Sequence, residues 1–184
     1  MLCRDSASSL FSVDSSRNGK TNPGPSANMS ETTGTFLVTH AETDSAVLRD
    51  VDTGQLHPLE LGGDLTEGEV LRATIAPEPP LEVVWSLREV EERWVVDLVD
   101  SDLAPTTHSK ELVEGIDVGE FQREERAGRG EIHVFRVPDD QLEAAAADVL
   151  ADEATLARAA RLEAVRVEVR TADPGILSVR YLPD

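Results

Sequence analysis

Asp52-Thr53-Gly54 has the form of the loop that supplies a carboxylate in aspartic proteolysis. That chemistry needs two carboxylates sharing one proton in a buried, apolar setting. Here a single copy stands between Arg49-Asp50-Val51 and Gln55-Leu56-His57-Pro58, a polar context, and the second carboxylate would have to come from another chain. Between two strands the same tripeptide is ordinarily a hairpin turn, and that is the reading adopted. Asp50 and Asp52 could open a cation loop, but further oxygen ligands at calcium-loop spacing do not follow. The four His (His40, His57, His108 and His133) contain no i, i+4 pair, and the only Cys is Cys3. A structural zinc site is therefore not expected. His133 reads as a packed or edge histidine beside Phe135. There is no G-x-S-x-G, no Walker A loop and no G-x-G-x-x-G. No catalytic, cofactor-binding or metal-binding residue is assigned, and no cofactor is expected.

Charge gives the one mild functional direction. Residues 29–116 hold 5 bases and 19 acids, whereas residues 117–184 hold 9 bases, all Arg, and 15 acids. Arg166, Arg170 and Arg180 alternate with apolar residues and should share one sheet face, near Arg123 or Arg136. This set is the candidate interaction surface. Three uses stay open. The face could be solvated, with Glu168 pairing across strands. It could meet phosphates through bidentate guanidinium contacts, or it could meet a protein partner.

Placing those residues requires strands. From Gly34 to Asp102 short apolar runs alternate with turn signals, giving Thr35–His40, Ala46–Asp50, Gln55–Leu59, Val70–Ile75, Leu81–Val90 and Arg93–Val99. Asp52-Thr53-Gly54, Leu61-Gly62-Gly63-Asp64, Glu67-Gly68 and Glu91-Glu92 separate them. Trp85 and Trp94 then fall on neighbouring strands and should anchor one core. Pro77-Glu78-Pro79-Pro80 cannot be central strand and reads as a corner or loop. Five or six strands with no helix between them imply a small antiparallel sheet that closes on itself, barrel-like. Residues 105–116 form a linker with a short helix capped by Thr107.

Beyond it, Val118–Arg126 and Glu131–Val137 flank the hairpin turn Ala127-Gly128-Arg129-Gly130. Pro138-Asp139-Asp140 opens a helix with Leu142, Ala145, Ala146, Val149 and Leu150 at helical spacing, and Asp152 re-caps a second one. Ala164–Thr171 and Ile176–Leu182 flank Asp173-Pro174-Gly175, read as a type II turn. The expected fold class is α+β: a barrel-like domain over 29–104 followed by a ββαββ unit over 117–184.

Composition bounds the setting. The net charge is −19, and of 17 bases only Lys20 and Lys110 are Lys. Short, strongly hydrated acids with few Lys suit a surface in concentrated salt, where the Debye length falls to about 3 Å. This implies a halophilic, cytoplasmic protein. The alternative is an acidic protein whose Arg, Ala, Val and Asp reflect a GC-rich genome. No apolar run approaches the length of about 20 residues that a bilayer span needs. Residues 1–28 differ from the rest, with seven Ser, a charge of +1 and no apolar signal region. They read as a disordered leader, with Met29 as the expected true start.

Met29-Ser30-Glu31-Thr32-Thr33-Gly34-Thr35-Phe36, Ala76-Pro77-Glu78-Pro79-Pro80, Ser101-Asp102-Leu103-Ala104-Pro105, Glu131-Ile132-His133-Val134 and Val179-Arg180-Tyr181-Leu182-Pro183 together resemble a haloarchaeal family of uncharacterised proteins. The resemblance covers about residues 29–184. It implies a halophilic cytoplasmic protein and brings no catalytic residue with it. The leading expectation is a non-catalytic interaction or accessory module, whose partner is a protein or a second copy ahead of nucleic acid, with no membrane. The alternative is a nucleic-acid-associated protein using the Arg-bearing face, and an enzyme of unknown class is third.

Overall fold

The computed structural model describes residues 31–60, 64–81, 83–126 and 130–183. The expected leader, the Leu61-Gly62-Gly63 turn and Ala127-Gly128-Arg129 of the hairpin turn lie outside the described residues. The fold is α+β, with ten strands and three α-helices among the described residues.

Five strands form the first sheet: β1 (Thr32–Ala41), β2 (Ser45–Asp50), β3 (Leu56–Glu60), β4 (Glu69–Pro77) and β5 (Trp85–Val95). Alternation explains them. In β2 and β3 every second residue is buried, so Ala46, Leu48, His57 and Leu59 point inward with Phe36 and Val38 of β1. Leu71, Ala73 and Ile75 of β4 complete this core. Each fully buried Val, Leu, Ile or Phe of this cluster contributes about 1.5–3 kcal/mol. The strand order β1-β2-β3-β5-β4 returns to β1, so the sheet closes on itself.

Two sequence expectations change here. The sheet is mixed, because β3 meets β5 through a parallel bridge at Leu59 and Trp85. Nor is there a turn at Glu91-Glu92: β5 runs through both residues as a single strand. Its pairing with β4 shifts register between Arg72 and Ala73 and between Thr74 and Ile75, leaving Glu91 and Arg88 as extra residues. Bulges of this kind bend and twist a strand, which lets β5 follow β4 around the ring without a hairpin. The two tryptophans consequently share a strand but not a core. Trp85 pairs with Pro77 and packs on the inner cluster, whereas Trp94 pairs with Val70 on the outer face.

At Val96 the chain leaves the first sheet. β6 (Asp97–Ser101), expected with the first set, is instead an edge strand of the second sheet and runs parallel to β9. α1 (Thr107–Glu114) follows, capped one residue earlier than expected: the Thr106 hydroxyl accepts from the Ser109 amide at 3.2 Å. Then come β7 (Phe121–Glu125), β8 (Glu131–Arg136), α2 (Leu142–Ala151), α3 (Glu153–Arg161), β9 (Arg166–Ala172) and β10 (Ile176–Leu182). The sheet order is β6-β9-β10-β8-β7. Two helices stand between the hairpins, as the expected re-capping at Asp152 requires, so the unit is ββααββ in place of the shorter ββαββ pattern. Asp152 separates them: it takes an extended conformation that ends α2, and its carboxylate accepts from Ala154 N at 2.9 Å to start α3. Asp173, Pro174 and Gly175 form the turn between β9 and β10, with a cis Asp173–Pro174 peptide and Gly175 in the left-handed region at φ +60°.

The largest apolar cluster belongs to both sheets. Leu37, Val51 and Val70 from the outside of the first sheet meet Ala157 and Ala160 of α3, and the same cluster runs on to Val167, Val169, Leu177 and Val179. Charged contacts rim this junction. Arg49 reaches Glu153 and Arg72 reaches Glu163, both at 2.6 Å, and Arg161 donates to the Val51 carbonyl. No helix among the described residues is long and apolar enough to cross a membrane.

Candidate interaction surface

Pairing register assigns the predicted arginines to faces, because directly opposed residues in a sheet point the same way. Arg180 opposes Glu168 and Ile132, Arg170 opposes Ser178, and Arg136 opposes Ile176. Arg166 opposes Leu182 on the same face. Arg123 opposes His133, and so projects from the other face, the one that α2 and α3 cover. The structure therefore brings four of the five together on one face and separates Arg123 from them.

On that shared face the arginines are committed in different ways. Arg170 and Arg180 both hold the Glu168 carboxylate, at 2.9 and 2.8 Å, with side chains only 12% and 14% exposed. Arg170 also donates to the Ala104 carbonyl at 3.3 Å, which ties the segment after β6 across the face. α1 covers the neighbouring part: Val113 packs on Ile132, Val134 and Ile176, and the hydroxyls of Ser109 and Ser178 lie 3.2 Å apart. Burial raises the Glu168 pKa, but hydrogen bonding to Arg170 and the charges of Arg170 and Arg180 outweigh it and hold the pKa below the usual value. Burial together with the neighbouring Arg170 lowers the Arg180 pKa. Arg166 is half exposed and lies 3.4 Å from Asp97. Arg136 continues the face at the far end of β8.

The opposite face holds a second charged cluster that sequence reasoning did not single out. Glu131, 4% exposed, accepts from Arg158 Nε at 3.1 Å and lies 3.0 Å from His133 Nε2. A second guanidinium nitrogen of Arg158 donates to the other oxygen, and Arg123 stands 3.9 Å away. Desolvation works to raise the Glu131 pKa; the hydrogen bonds from Arg158 and His133 prevail and lower it. Tyr181 packs on the His133 ring at 4.9 Å, and burial raises its pKa. The sequence signal was present but faint. Glu131 and His133 occupy alternate positions of one strand, while Arg158 comes from a helix 27 residues later.

His57 points into the closed sheet, edge-on to Trp85 at 4.4 Å and to Phe36 at 5.9 Å. Neither of its ring nitrogens has a hydrogen-bond partner among the described residues. Burial depresses the His57 pKa against the opposing pull of Asp50, and burial depresses that of His133 against Glu131. Both groups are thus neutral in the fold at pH values where an unfolded chain, with His near 6.5, binds protons. Stability must fall as pH drops below about 6.5, and again below about 4.5 as the lowered carboxyls of Glu131 and Glu168 protonate. Urea midpoints at fixed salt should be lower at pH 5.5 than at 7.5, and His57→Leu should flatten that first step. An unchanged slope in the variant would remove His57 from the account.

Three open cavities lie elsewhere. One, of about 500 Å³, is lined by Asp139, Asp140, Glu143, Thr171 and Asp173. A second, of about 320 Å³, has His108, Glu124, Arg126 and Ile132. The third, of about 380 Å³, lies between β1 and α3 beside Leu37, Glu67 and Leu156. Neither buried charge cluster lines any of the three. Among the described residues no group of three His, Cys, Asp or Glu is placed to hold a metal ion.

Exposed large apolar side chains are scattered, with Leu81, Val83 and Val95 in or beside the first sheet and Val118 and Phe121 at the edge of the second. Phe121 of β7 is 59% exposed and stacks on Phe135 at 5.3 Å, with Val118 exposed just before it. β7 is the last strand of its sheet. Phe121, Arg123 and the Glu131 cluster share one face of the β7–β8 hairpin.

The chain belongs to DUF5812, a family of unknown function, matched over residues 32–171. No curated protein and no solved structure matches it.

Proposed function

We propose that this DUF5812 member is a non-catalytic interaction or accessory protein of a haloarchaeal, salt-rich cytoplasm, and that it makes contact through the second sheet. What carries this reading is the contrast between its charges and its apolar surface. Of the three buried acids among the described residues, Glu131 is paired with Arg158 and His133 and Glu168 with Arg170 and Arg180, while Asp50 is held by the amides of Asp52 and Thr53 in the turn. Groups fixed this way stabilise geometry and have little freedom to take up and release protons in a reaction. Phe121 and Val118, by comparison, leave apolar area in water at a strand edge, where partners dock. The Arg166, Arg170, Arg180 and Arg136 face serves the same module as a framed support, with Arg166 at its rim.

The salt-rich setting rests on composition. Residues 29–184 carry 34 acids against 14 bases, and Lys110 is the one Lys among them. Self-repulsion of such a chain is screened in molar salt and felt in dilute buffer. Circular dichroism across a salt series should show the fold lost on dilution; full structure in dilute buffer would refute the halophilic setting. Affinity capture from native lysate at high salt, read for protein and for RNA, tests the interaction role. Enrichment of RNA without protein would replace it with the nucleic-acid reading.

A further inference from the structure

We infer that β7 is the contact strand of a homodimer, pairing antiparallel with β7 of a second copy so that two sheets become one continuous sheet. The inference rests on reading the chain as an interaction module and names a second copy as its partner.

The first support is the direction of the β7 backbone. Arg136 N donates to Glu120 O and Arg126 N donates to Gly130 O, both at 3.0 Å. The residues of β7 that bond to β8 are therefore the even-numbered ones, since hydrogen-bonded and non-bonded pairs alternate in an antiparallel ladder. Phe121, Arg123 and Glu125 turn their amides and carbonyls toward the open edge.

The second support is charge. The opposite edge strand, β6, carries Asp97 and Asp100 with Asp102 directly after it and no base, which opposes pairing with a copy of itself. β7 and the next residue carry Arg123, Glu124, Glu125 and Arg126, a balanced set in a chain of net charge −19. It is a segment where two such molecules can approach. A two-fold axis perpendicular to the sheet, with full overlap of the strands, puts Arg123 at the axis. Glu120 then opposes Arg126 of the second copy, and Gln122 opposes Glu124 of the second copy, each contact occurring twice. Arg123 lies diagonal to Glu125 of the second copy and 3.9 Å from its own Glu131, which offsets the approach of two guanidiniums.

The third support is the apolar side chain at the same edge. Phe121, stacked on Phe135, comes to lie opposite Glu125 of the second copy, whose methylene stem covers part of the exposed ring. An edge this short buries less than the roughly 1,200 Å² of a standard stable interface. The dimer is accordingly weak, promoted by salt that screens the net charge, and favoured at high protein concentration.

Light scattering on the full chain, over a range of concentrations in molar salt, should show the mass rising from one copy toward two. Arg123→Pro removes an outward N–H without taking a bond from β8, and should return the monomer. Arg126→Glu sets Glu against Glu120 of the second copy and should weaken association about tenfold or more. Adding Glu120→Arg to Arg126→Glu should restore it, an outcome that mere unfolding of β7 does not produce. A monomer at every salt and concentration overturns the inference, as does a dimer indifferent to both single variants. Either result leaves capture of a different protein unaffected, so the dimer and the broader interaction role fail separately.

Discussion

Arg158→Met should destabilise the protein by about 3–5 kcal/mol, the loss expected when one partner of a buried ion pair is removed and the other stays charged. Glu131 is the group left behind. It is almost fully buried, and Arg158 binds both of its oxygens, so the variant leaves only His133 in contact and Arg123 at 3.9 Å. The deficit should shrink in acid. In the wild type the Glu131 pKa lies below its usual value, so stability is present at neutral pH and lost as pH falls below about 4.5. In the variant that carboxyl protonates more readily and has less to lose. Replacing both groups, with Arg158→Met and Glu131→Gln together, should recover most of the stability, since a neutral pair escapes the penalty. Urea unfolding at fixed salt measures all three proteins. A loss under about 1 kcal/mol for Arg158→Met would mean that water screens the pair as it does at a surface.

Glu168→Gln should produce the second large loss, also about 3–5 kcal/mol, by the same physics with the signs reversed. Its removal leaves two guanidiniums, 12% and 14% exposed, facing each other without a carboxylate. The Nε atoms of Arg170 and Arg180 already lack partners among the described residues. Arg170→Met should cost much less, because Arg180 continues to hold Glu168 at 2.8 Å. This asymmetry is the test: urea midpoints that rank Arg170→Met as costly as Glu168→Gln would show the carboxylate is not the shared centre. Loss of the Ala104 contact in Arg170→Met should also loosen the segment after β6, readable as faster amide exchange there.

Both clusters explain why the site was only partly legible. Arg166, Glu168 and Arg170 alternate with Val167 and Val169, and a period of two is enough to put them on one face. Arg180 joins them because a short turn links β9 to β10, making the register local. Arg123 could not be placed that way. Its face depends on the register of β7 against β8, and an offset of one residue would have moved it beside Arg180. Glu131 and Arg158 belong to a strand and a helix with no fixed relation along the chain, so no spacing announced their pairing.

The fold divides along the same line. Alternation and turn residues located β1, β2, β4, β9 and β10 closely, and helical spacing with Asp152 located α2 and α3, because these features depend on neighbours within a few residues. Glu91-Glu92 was misread for the complementary reason. Two adjacent acids look like a turn, but β4 supplies partners along the whole of β5 and absorbs the extra residues as bulges. Likewise the run from Asp97 to Ser101 has strand character on its own, while its parallel partner β9 lies more than 60 residues further on. Composition, charge, strand identity and helix identity are local quantities and could be read from the chain. Partner choice, closure of the first sheet, the core common to both sheets and the pairing of buried charges are distant contacts, and they were settled only when the chain folded on itself.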